Sequence, residues 1–308
     1  MKTWNDMNLP CQLGIGTWAW GDKQVWGYGK GYSDYDLKEA FELSISSGIT
    51  FFDTAEMYGY GKSESLIGRF IREQKAAVII ATKFMPVPWR LRQHDLIRAL
   101  EHSLERLGLK SVDLYQIHWP LHLRSLNTWM DGLAEAVEQG LTRAVGVSNY
   151  NVDQMKRAYD RLASHGIPLL SNQVEFSLLH RSPETNGLLK TCNELGIKLI
   201  AYSPLAMGVL TGKYTSAHKL TGYRGIRFNR YLSRIEDLTN LLREIGQGHG
   251  GKSPSQVALN WTICKGTFPI PGAKNANQAK ENAGAQGWNL TNDEITAIEL
   301  AADRIRGR

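Results

Sequence analysis

Short apolar, β-branched runs alternate with longer amphipathic segments along all 308 residues. The runs fall at 12–16, 50–53, 78–83, 112–118, 144–148, 170–174, 198–202 and 266–270, lengths that suit buried strands. Between them apolar positions recur at helical spacing over 36–47, 63–72, 95–107, 128–139, 153–165, 184–195, 235–246 and 276–284. Repeated strand-then-helix units predict the α/β class and a single (β/α)8 TIM barrel, one domain over 1–308. Extra helices are predicted at 253–264 and 292–305, and the turns 2–4 and 8–11 suggest an N-terminal hairpin across the barrel floor. Ser33, Asp34 and Asn151 sit where helices should start, and Gly48, Gly108, Gly140, Gly166 and Gly196 where they should stop.

Composition narrows the class of function. The charge of +6 suits an anionic ligand, or simple solubility, and no basic motif with interleaved aromatics points to nucleic acid. Cys11, Cys192 and Cys264 are far apart and form no Cys-x-x-Cys pair, so neither a disulfide framework nor a metal site is expected. The polar start and the short longest apolar stretch, 76–81, predict a cytoplasmic protein with no membrane span. No helix has an evident surplus apolar face, which leaves the oligomeric state open with a monomer favoured.

Two connections are too long for turns. Residues 18–33 hold Trp18, Trp20, Trp26, Tyr28 and Tyr32 among glycines, which predicts either a wall for an apolar substrate or a satellite hydrophobic cluster. Residues 203–233 hold Lys213, Lys219, Arg224, Arg227, Arg230 and Arg234, a basic segment that either screens phosphates or lies in solvent.

Four ionisable residues, Asp53, Tyr58, Lys83 and His118, lie at or just beyond the ends of successive strand runs. In a parallel barrel that end carries the chemistry. Singly, each reads as a cap, a loop aromatic, a snorkelling lysine or a rim histidine. Together they suggest a proton donor: a lysine beside a tyrosine lowers the phenol's pKa, an aspartate holds the ammonium, and a histidine orients a carbonyl oxygen. None of them can supply electrons, so a reduction here needs a hydride-donating cofactor.

These residues sit inside longer motifs: Gly14-Ile15-Gly16-Thr17-Trp18, Phe51-Phe52-Asp53-Thr54-Ala55-Glu56-Met57-Tyr58-Gly59, Ala81-Thr82-Lys83, His118-Trp119-Pro120, Gly146-Val147-Ser148-Asn149, Asn172-Gln173-Val174-Glu175-Phe176 and Ala201-Tyr202-Ser203-Pro204-Leu205. In order and spacing the chain resembles the aldo-keto reductase superfamily over essentially its full length, and it resembles the bacterial and plastid members more than the aldose reductase type. The resemblance implies a catalytic tetrad of Asp53, Tyr58, Lys83 and His118, with Tyr58 as general acid, and NADPH lying across the barrel mouth. It implies nicotinamide contacts from Ser148, Asn149, Gln173 and Tyr202, and a pyrophosphate clasp over 203–210 that includes Ser203, Pro204, Leu205, Gly208 and Leu210. Pro271, Gly272, Lys274, Gln278, Glu281 and Asn282 would face the adenosine 2′-phosphate, adenine and ribose. Gly16, Thr17, Trp18, Asp53 and Lys213 complete the expected cofactor set. Many members carry an arginine where this chain has Gln278, so preference for NADPH is expected to rest mainly on Lys274.

The substrate wall is expected from Trp18, Trp20, Trp26, Met85, Trp119 and Tyr60, suiting an aromatic or apolar aldehyde or ketone, with pyridoxal a candidate. Two other readings compete. Lys83 could form a Schiff base, as in an aldolase. Alternatively the chain could sense NADP(H) as a regulatory subunit that turns over slowly.

Overall fold

The computed structural model describes residues 3–121 and 125–306. Eight strands form one parallel sheet in sequence order: β1 Ile15–Gly16, β2 Phe51–Asp53, β3 Ile79–Phe84, β4 Leu114–Ile117, β5 Val145–Ser148, β6 Leu169–Glu175, β7 Lys198–Tyr202 and β8 Phe268–Ile270. The seam between β8 and β1 is bridged by Gly16 and Gly272, with the Gly14 N–H donating to the Pro269 carbonyl and the Gly16 N–H to that of Pro271, both at 3.0 Å. Glycine is required at this seam because a Cβ on Gly16 would stand 2.8 Å from the Ile270 carbonyl oxygen. The seam strand, Ile15–Gly16, is shorter than the predicted 12–16.

The twelve helices of the described residues are α1 Asp34–Ser46, α2 Lys62–Gln74, α3 Gln93–Leu107, α4 Leu126–Glu138, α5 Val152–Ala163, α6 Ser182–Thr185, α7 Leu188–Leu195, α8 Gly222–Phe228, α9 Leu232–Gly248, α10 Pro254–Cys264, α11 Ala276–Ala283 and α12 Asn292–Arg306. Sequence signals set several of the ends. Asn151 accepts from the Gln154 N–H to cap α5, Ser253 accepts from the Gln256 N–H to cap α10, and Gly108 and Gly196 close α3 and α7 in left-handed conformation.

Strand alternation divides the core in two. Phe51, Ala81, Leu114, Ala144, Leu170, Ile200, Phe268 and Ile270 fill the lumen. Their outward neighbours, among them Phe52, Ile80, Tyr115, Val147 and Leu199, pack under the helices. Burial on both faces explains why the strands read as continuous apolar runs.

Two expectations are corrected. The floor has no hairpin: Trp4–Met7 is a 3-10 turn, and Lys2 lies outside the described residues. Trp4 still reaches the floor, its ring 5.0 Å from Phe268 and 5.9 Å from Phe51. The Asp6 carboxylate accepts from the Thr3 N–H at 2.5 Å, and this local bond favours the turn over a strand. The helix predicted as extra, α10, packs on β8, whereas α9 packs on α10 and α12. Nearly all of α10 is buried, so its sequence lacks the amphipathic stripe that distinguishes a half-buried helix. No helix of the described residues is long and apolar enough to cross a membrane.

Candidate active site

The polar site begins one strand period above the apolar lumen. Asp53 lies two residues beyond Phe51, Lys83 two beyond Ala81 and Gln116 two beyond Leu114, so each points inward. The Lys83 ammonium and the Asp53 carboxylate are almost wholly buried and 2.5 Å apart. Asp53 also accepts from Gln173 Nε2 at 2.8 Å and Gln116 Nε2 at 3.4 Å, while Lys83 donates to the Thr54 carbonyl at 2.8 Å. Such satisfaction on every side is what makes a buried ion pair tolerable.

Tyr58 follows β2 in a tight turn, with its hydroxyl 3.4 Å from Lys83 Nζ. Gly59 permits that turn: its φ is 56° and a Cβ there would stand 2.8 Å from the Gly21 backbone. Burial, followed by the Asp53 charge, raises the Tyr58 phenol well above its ordinary 10. This reverses the lowering expected from a neighbouring lysine. Asp53 offsets the lysine's field, and desolvation disfavours the phenolate. Tyr58 is thus a neutral acid, and Lys83 has its own pKa lowered by burial against the opposing pull of Asp53.

His118 stands edge-on to Tyr58, ring centroids 5.7 Å apart. Burial and the Lys83 charge lower its pKa from 6.5 to about 3, so the ring is neutral near pH 7. Its Nδ1 is buried without a partner among the described residues. A proton there would be a buried unsatisfied donor, which assigns the proton to Nε2.

Above this layer opens a cavity of about 690 Å³. Tyr58, His118, Trp18, Trp26, Met57 and Trp119 line one part. Beside them stand Asp53, Ser148, Asn149, Gln173 and Tyr202, joined by hydrogen bonds: Tyr202 to Asn149 Oδ1 at 3.0 Å, Asn149 Nδ2 to Ser148 Oγ at 3.1 Å and Ser148 Oγ to the Gln173 carbonyl at 2.8 Å. Asn149, Ser203, Ala206 and Met207 all have positive φ, local strain concentrated around one cavity.

The cavity continues past Gly16, Ser203, Pro204, Leu205, Gly208, Pro271 and Gly272 to Lys213, Lys274, Gln278, Glu281 and Asn282. Asn275 caps α11 by accepting from the Gln278 N–H, and the Gln278 side chain accepts from the Lys274 N–H at 2.9 Å. Arg224, on α8, also lines this end. Among the described residues Lys213, Arg224 and Lys274 form no ion pair with an acid, and burial, followed by the charges of Arg224 and Lys213, lowers the Lys274 pKa. A cavity with amides at one end, three cations at the other and strained backbone between fits an elongated dinucleotide with an extra phosphate.

Several expected wall residues stand elsewhere. Trp20 is fully buried, donating to the Ala273 carbonyl at 2.8 Å and packing on Phe52 and Phe70. Tyr60 is 83% exposed, and Met85 is absent from the cavity wall, its N–H held by Glu56 at 2.7 Å. Thr17 and Leu210 are also fully buried away from the wall, and Thr17 Oγ1 ties β1 to the Asp53 carbonyl at 2.8 Å. The aromatic loop is therefore wall and satellite cluster at once. Of the basic segment, Arg227 pairs with Glu175 at 2.5 Å and Arg234 donates to the Ile305 carbonyl, leaving Lys213 and Arg224 for the cavity. Tyr214 also lines the cavity, and Arg224 was not separable from the neighbouring cations in sequence, because only the turn of α8 decides which of them faces inward. Lys83 is fully buried and does not line the cavity, so it has no face open for a Schiff base.

The sequence matches the Aldo/keto reductase family over residues 12–303. It is 45% identical over 304 residues to the chloroplastic pyridoxal reductase of Arabidopsis thaliana, covering 94% of this chain and 82% of the relative. The fold superposes on the glycerol dehydrogenase AKR11B4 of Gluconobacter oxydans with a TM-score of 0.84 at 25% identity, covering 96% and 93% of the two chains. It superposes on a Klebsiella pneumoniae aldo/keto reductase, solved with NADP and acetate, with a TM-score of 0.73 at 27% identity, covering 96% and 90%. With its eight-stranded barrel and strand-end polar cluster, the chain belongs to the aldo/keto reductase family and is an oxidoreductase of small carbonyl compounds.

Proposed function

We propose that this chain reduces aldehydes to alcohols with NADPH, and that pyridoxal is a substrate. The observation that carries the reading is the Tyr58 hydroxyl at the cavity wall, 3.4 Å from a lysine that is itself held by Asp53. The bound cofactor supplies a hydride to the carbonyl carbon. Tyr58 gives its proton to the carbonyl oxygen, and the phenolate left behind faces the Lys83 ammonium. His118, protonated at Nε2 and neutral, donates a hydrogen bond to the same oxygen and fixes the face presented. Asp53 keeps the ammonium charged and in place, while Ser148, Asn149 and Gln173 offer the hydrogen-bonding groups a carboxamide needs and Tyr202 a plane against the nicotinamide ring.

Lys274, Lys213 and Arg224 at the far end favour the 2′-phosphate, hence NADPH over NADH. Pyridoxal is favoured by the relative at 45% identity and by Trp18, Trp26 and Trp119, which offer flat apolar faces to an aromatic aldehyde. An NADPH-oxidation screen over pyridoxal, simple aldehydes and dicarbonyls tests the reading, with pyridoxal expected to support many turnovers per chain. One turnover or fewer with every carbonyl would point instead to an NADP(H)-sensing subunit. Tyr58→Phe should cut turnover about 10²–10⁴-fold while leaving NADPH affinity nearly unchanged, because the hydroxyl serves the reacting oxygen. Near-normal turnover in that variant would refute the role.

A further inference from the structure

Trp26 touches both ends of the cavity chemistry. Its ring lies 5.6 Å from Lys274 Nζ and 5.8 Å from Arg224 Cζ, the two cations contributed by the turn after β8 and by α8. Its other neighbour is Trp18, edge to face at 5.6 Å, and Trp18 in turn lies 6.5 Å from the Tyr58 ring. Trp26 Nε1 is buried with no hydrogen-bond partner among the described residues. Asp22 fixes the loop from behind, its carboxylate accepting from the Val25 N–H at 2.7 Å and the Trp26 N–H at 3.1 Å. Tyr32 supplies a second face to Lys274, at 4.9 Å.

Arg224 also lies 5.5 Å from the Tyr214 ring and donates to the Tyr214 hydroxyl and the Met207 carbonyl. Two like charges brought together repel; each cation has a tyrosine face of its own, and the Trp26 indole is the one face that both share. Because Lys274 and Arg224 share one ring, a change in either cation's position is felt by Trp26 and, through the edge contact, by the Trp18 wall. We propose that Trp26 is a specificity-determining and positioning residue: it poises Lys274 and Arg224 for the cofactor's 2′-phosphate and passes the presence of that phosphate to the aldehyde pocket. This rests on the NADPH reading and adds to it a named link between the two ends. No covalent step is involved.

The test uses adenosine 2′,5′-bisphosphate and 5′-AMP as probes, titrated by calorimetry against the full-length chain. Trp26→Leu should weaken the bisphosphate about tenfold while shifting 5′-AMP no more than about twofold, and Trp26→Phe should restore most of the loss, since a phenyl face still holds a cation. In a Lys274→Gln, Arg224→Gln background the effect of Trp26→Leu should vanish, as a cation–π role demands. The aldehyde arm compares the KM for pyridoxal with NADPH and with NADH, expected to differ several-fold in the wild type and to converge in Trp26→Leu, whatever that variant's common change in pyridoxal binding. Equal weakening of both probes, with far-ultraviolet circular dichroism unchanged, would overturn the proposal, as would a wild-type KM independent of cofactor. Failure of the wild type to prefer the bisphosphate at all would instead strike the NADPH reading.

Discussion

At the scale of the residue, the site is built from groups whose charge is decided by burial. His118 is the clearest case, because burial, followed by the Lys83 charge, keeps its ring neutral near pH 7. In the unfolded chain the imidazole takes up a proton below its ordinary 6.5, while in the folded chain it does so only near 3. The unfolded state therefore binds more protons in that window, and stability falls as pH drops from 6.5 toward 3. Relative to a His118→Gln variant, the wild type should lose about 2 kcal/mol of unfolding free energy between pH 7 and pH 5. Urea titrations at the two pH values measure it. Parallel losses in the two proteins would mean that the ring is protonated as readily folded as unfolded. Tyr58 carries the opposite lesson: the pairing with Lys83 was legible from the chain, but the direction of its shift was not, since that depends first on burial of the phenol and then on the Asp53 charge beside the same ammonium.

At the scale of the element, strand positions were readable because burial on both faces leaves an uninterrupted apolar run bounded by glycine. The residues predicted at 50–53, 78–83, 144–148 and 198–202 match β2, β3, β5 and β7 to within a residue at each end. The grouping of Asp53, Tyr58, Lys83 and His118 was legible for the same reason, since they sit at or just beyond those runs. What could not be read was the direction of side chains in loops. Trp20 and Trp26 belong to one glycine-rich connection with similar neighbours, yet Trp20 bonds to Ala273 in the core while Trp26 faces the cavity. The close approach of β1 to β8 was equally hidden, because it brings Gly16 against Ile270, residues far apart in the sequence. Gly16→Ala tests that constraint. A methyl group 2.8 Å from a backbone carbonyl must push β1 and β8 apart, at a cost of about 1–3 kcal/mol. Thermal melting should register the loss, and NADPH affinity should fall with it because Gly16 also lines the cavity. Unchanged stability would mean the seam has room to widen.

At the scale of the whole molecule, the barrel separates what holds it together from what it does. The lumen is apolar from the floor to Ile200 and Ile270 and polar above, so the two ends answer to different physical demands. The 3-10 turn at Trp4–Met7 covers the apolar end: Trp4, Met7 and Leu9 pack against the lumen cluster, with Trp4 spanning Phe51 and Phe268. Removing that indole opens the floor to water and uncovers two phenylalanine rings. Trp4 is only partly buried, so Trp4→Ala should cost less than a full core truncation, about 2 kcal/mol. The same substitution should leave kcat and the KM for NADPH near wild type below the melting transition, because Trp4 packs on the lumen cluster and the polar layer begins one strand period above it. Melting curves and steady-state kinetics on one preparation measure both quantities. A drop in kcat without a drop in melting temperature would show that floor and mouth are mechanically coupled, and the separation argued from the two layers of the lumen would fail.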